Sequence, residues 1–218
     1  ICSRDWSSDV CSSDLVVWKP PRAWSVPDVK ALLLAAGEMQ GHLRCGIEIK
    51  ALMTAWVAVA YQTGLRPGDM RIIRKDAIDN SRLFVVQNKT KKPVIRPLDA
   101  PTAELLATLR NDSDAIFGIK KHTMRRYELR LFSEAVKYGF KRCKGQSIGT
   151  LRKTHATEIA RNHGADAAAR SLGHVSGTKI AIDHYIQADA LHTTFAPPSL
   201  NDYSSGIRTE QNTADSPR

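Results

Sequence analysis

No stretch of this 218-residue chain approaches the ~18 to 20 uninterrupted apolar residues of a membrane-spanning helix. The best candidate, 51–61, is flanked by Lys50, Gln62 and Arg66, so the chain reads as soluble, with no membrane partner. Its four cysteines, at positions 2, 11, 45 and 143, have neither metal-ligand nor disulfide spacing, and no secretory signal precedes them. A reducing cytoplasm is the expected compartment. Also missing are a Gly-rich nucleotide loop, a Ser-His-Asp order and any internal repeat, which removes the commonest nucleotide-dependent, zinc-dependent and serine-hydrolase readings. No metal site and no cofactor are expected.

The first fifteen residues have no helical or strand periodicity, and Asp5 to Leu15 reverse-translate in one frame to what looks like a short-read sequencing adapter. Residues 1–15 are therefore taken as an artefactual leader, excluded from fold reasoning. Excluding Arg4, Asp5, Asp9 and Asp14 leaves 31 basic and 19 acidic residues, a net +12 against +10 for the whole chain. That excess suits a polyanionic partner, although a ribosomal or membrane-surface protein would show it too.

Residues 16–21 read as a stiff basic linker, 22–196 as one domain, and 197–218, rich in Pro, Ser, Asn, Asp and Thr, as a disordered tail. Ser25 is placed to cap a first helix with Pro27 and Asp28 in its opening turn and Leu32, Leu33, Ala35 and Ala36 on its apolar side. Residues 47–63, apolar nearly all round, predict a core helix stopping at Gly64. Short strands are expected at 77–78, 82–87 and 93–98, the last two joined by Asn88-Lys89-Thr90-Lys91-Lys92, and together they make a small antiparallel sheet. Helical period returns at 102–110, 122–140, 150–163, 166–172 and 178–187. In 122–140 the side formed by Tyr127, Leu131, Phe132, Ala135 and Val136 is expected inside. The class is α+β, mostly α-helical.

Against this background one ordered set of residues carries chemistry. Arg66 stands in Thr63-Gly64-Leu65-Arg66-Pro67-Gly68-Asp69, Arg152 in Leu151-Arg152-Lys153-Thr154, and Leu172-Gly173-His174 and then Tyr185 follow. Two fork-shaped guanidiniums can hold the non-bridging oxygens of one phosphodiester while a phenol oxygen attacks the phosphorus, with no metal required. Arg66 falls just past a helix end and can project into a cleft, or pair with Asp69. Arg152, one turn inside its helix beside core-facing Leu151, can point to solvent or to a phosphate.

From about Pro21 to Phe195 the chain resembles the tyrosine recombinase, or phage integrase, family. The resemblance implies the family's catalytic-domain fold, its small sheet carrying a Lys hairpin, and Arg66, Lys89, Arg152, His174 and Tyr185 as catalytic residues. It further implies cleavage and rejoining of double-stranded DNA through a 3′-phosphotyrosyl link. Lys89 would protonate the departing 5′-oxygen, with Lys91 and Lys92 close enough to compete. His174 would bond the phosphate and orient Tyr185, and Tyr203 is a weaker nucleophile candidate because it lies in the tail. A homotetramer on DNA, with Ala188, Leu191 and Phe195 docking into a neighbour or in cis, is the implied assembly. Accessory DNA-bending proteins, a phage or other integrative element of a bacterium as source, and a core-DNA-binding domain upstream of residue 16 belong to the same expectation.

Two features depart from the family. Gly149 stands where a His is usual three residues before the second Arg, removing a proton-transferring side chain; His155 is read as structural rather than as its substitute. The spacing of eleven from His174 to Tyr185 exceeds the usual nine, as an insertion near Ser176-Gly177-Thr178 would explain. Lys120, Lys121, Arg125, Arg126 and Arg130 form a basic run at a helix start that either tracks phosphates, together with Lys91 and Lys92, or is a solvated face. Two alternatives stay open: a DNA-binding protein of the same fold with impaired catalysis, and type IB topoisomerase-like relaxation of DNA.

Overall fold

A computed structural model of the chain describes residues 21–109, 113–173 and 178–191. The leader at 1–15, most of the linker, His174 and the tail at 197–218 lie outside the described residues.

Helix α1, Val26–Glu38, starts with a capping box. The Ser25 hydroxyl accepts from the Asp28 N–H, and Asp28 accepts from the Ser25 N–H at 2.9 Å, so two orphan donors are satisfied. Just before it Trp24 is pinned into the fold: its backbone N–H donates to Thr154 Oγ1 and its indole N–H to Gln146 Oε1, both at 2.9 Å. Its ring packs edge-on against Phe132 and Phe140.

Helix α2, Ile49–Thr63, is the core helix anticipated from its composition. Leu52, Met53, Trp56, Val57 and Val59 are all buried, with Trp56 edge-on to Phe117 at 4.8 Å. It ends at Gly64 in the left-handed conformation (φ 61°), a geometry that costs a β-carbon-bearing residue ~1 to 2 kcal/mol. A single helical turn, α3 (Pro67–Met70), follows immediately and begins at Arg66.

Strands β1 (Ile78–Asp79), β2 (Arg82–Val86) and β3 (Pro93–Pro97) pair antiparallel in that order, with Phe84 opposite Ile95 and Val86 opposite Pro93. Along β2 the period-two rule holds: Leu83 and Val85 face the core, Phe84 and Val86 the outside. The hairpin closes through Gln87 N–H to Lys92 O (2.9 Å) and Lys91 N–H to Gln87 O (2.8 Å), which puts Asn88, Lys89 and Thr90 in the turn. Helix α4, Ala100–Thr108, is capped by Asp99.

Helix α5 covers Lys121–Ala135 and not the expected span to Phe140. A 3₁₀ turn, Val136–Tyr138, ends at Gly139 in the left-handed region and folds Phe140 back under Trp24. The turn breaks the helical phase, so Val136, expected inside, is 63% exposed. Helix α6, Thr150–Ser171, is interrupted at Gly164 (φ 83°, ψ 165°), matching the two helical stretches read on either side of it. Helix α7, Thr178–His184, stops three residues earlier than expected, and Tyr185 follows directly.

Two apolar clusters result. The larger gathers α1, α2, the sheet, α4, α5 and the start of α6; the smaller contains Ala156, Ala160, Ala168, Ala169, Leu172, Ala181 and Ile186 from α6, α7 and the residues just after it. Among the described residues no helix is long and apolar enough to cross a membrane.

Candidate active site

Arg152 is where the two clusters meet. It is only 3% exposed, so of the two directions expected for its fork, solvent or a phosphate, the first is excluded. Nη1 donates to the Gly64 carbonyl at the end of α2, and Nη2 donates to the Leu172 carbonyl at 3.0 Å. These bonds tie the end of the core helix to the turn that leads toward His174, and they fix the plane of the guanidinium. The helix phase permits either an outward or an inward Arg at this position. It is the carbonyls of Gly64 and Leu172, distant in sequence, that draw it in.

The Arg152 guanidinium carbon sits 5.0 Å from the centroid of the Tyr185 ring. Half-burial by itself would push the Tyr185 phenol up. The charges of Arg152 and Arg66, and their hydrogen bonds to the phenol oxygen, outweigh that and hold it below the ordinary value of 10. Arg152 in turn is pulled down to about 10 by burial and by the like charge of Arg66, partly offset by Tyr185, so it stays protonated at neutral pH. Three groups far apart in sequence, Arg66, Arg152 and Tyr185, therefore converge.

Arg66 projects from the start of α3, where Pro67 fixes the first turn and the Arg66 carbonyl accepts from Asp69 and Met70. Its Nη1 lies 3.9 Å from Asp69 Oδ2, a loose ion pair. Both Arg66 Nη1 and Arg152 Nε are buried with no hydrogen-bond partner among the described residues. Buried donors of this kind are normally satisfied; two on converging guanidiniums suit an anion bearing several oxygens.

Sequence reading set Asp69 aside as a local partner of Arg66, but its role is wider. Only 2% exposed, it accepts the Asn88 N–H on Oδ1 at 2.9 Å and so fastens the Lys hairpin to the Arg66 turn. No local pattern signals this, because the partner is 19 residues away. Lys89, Lys91 and Lys92 are all exposed on this hairpin. The Lys91 ammonium donates to Asn88 Oδ1 at 3.0 Å, whereas the Lys89 and Lys92 ammonium groups make no hydrogen bond or ion pair among the described residues. His174, and Ser176 and Gly177 of the segment Ser176-Gly177-Thr178 where the insertion was expected, lie outside the described residues.

Gly149 is at the N-cap of α6 with ordinary helical angles (φ −62°, ψ −14°), and a β-carbon there would stand 3.4 Å from Ser147 Oγ and 3.6 Å from Pro67 Cγ. The position faces the Arg66 turn and admits a β-carbon at ordinary contact distance. His155 is structural, as read: it is buried, Nδ1 lies 2.8 Å from the Tyr61 carbonyl, and burial pulls its pKa down to about 4. Its ring also occupies the space beside Gly64, where an added β-carbon would overlap His155 Cδ2.

The basic run on α5 divides by helix face. Lys120 and Arg126 line an open groove of about 600 Å³ together with His42, Arg44, His122 and Tyr127, and the Arg126 guanidinium stacks over the Tyr127 ring. Arg44 and His42 were not anticipated, since they come from the loop after α1. Lys121 is exposed but outside this lining; Arg125 pairs with buried Glu128 at 2.7 Å, and Arg130 donates to the Gln40 carbonyl.

Comparison with solved structures shows where this fold recurs. The chain is similar to XerA recombinase (TM-score 0.60, 21% identity, covering 88% of this chain and 67% of that one). It is similar too to the catalytic domain of bacteriophage HP1 integrase (TM-score 0.55, 18% identity, 85% and 94%). A lambda integrase (75–356) dimer bound to a COC′ core site gives TM-score 0.54 and 21% identity, over 75% of this chain and 59% of that one. The chain thus spans nearly all of an isolated catalytic domain but about half to two thirds of longer recombinases. The model of the phage integrase family matches residues 32–192, and the chain belongs to that family. No curated protein matches.

Proposed function

We propose that this chain cleaves and rejoins double-stranded DNA at specific sites, with Tyr185 as nucleophile and Arg66 and Arg152 as the phosphate clamp. The observation that carries the reading is the convergence of both guanidiniums on the Tyr185 phenol, each retaining a buried N–H without a partner among the described residues. The Tyr185 oxygen bonds to phosphorus as the bond to the 5′-oxygen breaks, and the strand is left as a 3′-phosphotyrosyl link. The phenolic proton passes to solvent, and the Lys89 ammonium gives a proton to the 5′-oxygen. Charge growing on the non-bridging oxygens meets cations already in place, which lowers the barrier without a metal ion. His174 adds a hydrogen bond to the phosphate.

A homotetramer on DNA is the assembly we infer. The groove lined by Lys120, Arg126 and Arg44 supplies backbone contacts, together with Lys92 and Lys121. A nucleoid-associated, phage-borne or integrative enzyme fits the activity.

A duplex nicked just beyond the scissile phosphate tests the reading, because loss of the short fragment traps the adduct. Wild type should form a covalent protein–DNA species that Tyr185→Phe does not. Gly149 supports a second reading, a DNA-binding protein of the same fold with impaired chemistry; wild type that binds the duplex tightly yet yields no adduct would favour it. Exchange between two sites, as against relaxation of one plasmid, separates recombination from topoisomerase-like action.

A further inference from the structure

The inward positions of β2 are Leu83, Val85 and then, one step past the strand, Gln87. An apolar residue is what the alternation calls for at the third position. Gln87 is instead a carboxamide, 1% exposed. Burying it costs free energy unless both ends are bonded, and they are bonded to two different parts of the site. Nε2 donates to the Leu172 carbonyl at 3.4 Å, the same oxygen that takes Arg152 Nη2 at 3.0 Å. Oε1 accepts from Thr90 Oγ1 at 2.8 Å, one residue beyond Lys89. The flat amide also lies against Gly173, so closely that a β-carbon there would stand 3.1 Å from Gln87 Nε2.

We propose that Gln87 is a positioning residue that holds the Lys89 turn in register with Arg152 and with the Leu172-Gly173 turn leading to His174. It acts with Asp69, which grips the Asn88 N–H from the Arg66 side. The turn bearing Lys89 is thereby clamped from both arginines' supports, and an exposed, flexible ammonium is delivered to one place over the phosphate. Precision of this kind matters because proton transfer needs its heavy atoms within hydrogen-bond reach. The inference rests on Tyr185 cleavage with Lys89 as the acid.

Its test compares two nicked duplexes, one with the natural 5′-oxygen and one with sulfur in the bridging position, whose thiolate leaves without a proton. Gln87→Met keeps length and bulk but cannot donate and accepts only weakly through its sulfur. On the oxygen substrate it should slow adduct formation on the order of 10-fold or more, within the ~10²- to 10⁴-fold that a general acid contributes. On the sulfur substrate it should match wild type, with DNA affinity and thermal midpoint unchanged. Combined with Lys89→Ala it should cost no more than Lys89→Ala alone, since the two act as one unit. Thr90→Val, which only frees Gln87 Oε1, should show the same pattern more weakly and carries the test if Gln87→Met does not fold. Equal slowing on both substrates, or none on either, overturns the role of Gln87 while leaving Tyr185 chemistry intact. Absence of any adduct from wild type on both substrates overturns the cleavage reading, and this inference with it.

Discussion

Arg152 reaches Tyr185 across 33 positions of sequence, its guanidinium carbon 5.0 Å from the ring centroid, while its two Nη groups are spent on the carbonyls of Gly64 and Leu172. The residue is thus both a bolt in the scaffold and the charge that makes a phenol acidic. Its Nε–H, buried and without a hydrogen-bond partner among the described residues, is a donor open to a ligand.

Because Arg66 also lowers the Tyr185 phenol, Arg66→Gln should raise that phenol's pKa toward, or above, 10, since half-burial then acts with less opposition. Near-ultraviolet titration of each protein, with the matching Tyr185→Phe protein subtracted, isolates this group from Tyr61 and Tyr138. Both of those are shifted up, the first mainly by burial and the second mainly by its bond to Glu38. An unmoved Tyr185 titration in Arg66→Gln would contradict the assigned coupling.

Gly149→His should speed adduct formation by about 10²-fold, the low side of what an added proton-transfer group supplies. The backbone there is ordinary, and the nearest atoms to a new β-carbon are at contact distance and not closer, so the protein should fold unchanged. Single-turnover cleavage of the nicked duplex gives the answer. No gain would mean that the missing side chain is not what limits the reaction.

Lys89 and Lys91 sit on the same turn, but the Lys91 ammonium is already bonded to Asn88. Lys89→Ala should therefore cost ~10²-fold or more in cleavage and Lys91→Ala only a few-fold. Sulfur in the bridging position should erase the first defect. A larger loss from Lys91→Ala would move the acid role to that residue.

His155 is neutral in the fold, its pKa lowered from 6.5 to about 4 chiefly by burial and then by Arg96 and Arg152 against the Tyr61 bond. Between those values the unfolded chain binds the extra proton and the folded chain does not, so stability falls as pH drops from 6.5 to 4. The loss attributable to this ring is at most about 3 kcal/mol. His155→Asn, whose amide can reach the Tyr61 carbonyl as Nδ1 does, should flatten the fall in thermal midpoint over that window. An identical pH profile in the variant would remove His155 as its source.

Much of this was readable before any coordinates. Gly64 and Gly164 mark real breaks because a left-handed residue is a local demand that glycine answers, and Arg66, Arg152 and Tyr185 were picked out by order and chemistry. What escaped reading depends on partners far away in the chain. Gln87 looks like a strand-end polar residue until Leu172, 85 positions on, supplies its acceptor. Asp69 looks like a local counter-ion until Asn88 arrives. Val136 follows helical period, and only the turn at Gly139, set by packing of Phe140 on Trp24, throws it outward.

The uneven division of the interior has a mechanical consequence. The Arg66 side of the site is anchored in a thick body of Trp, Leu, Met and Phe, whereas Tyr185 is carried by a thin layer made mostly of alanines. Alanine methyls give up little contact when they part, so the nucleophile's segment should open to solvent well before α2 does, and amide exchange should be faster along α7 than along α2. Under the proposed strand transfer this asymmetry would let the Tyr185 arm release and re-engage while the arginine side of the site holds its place.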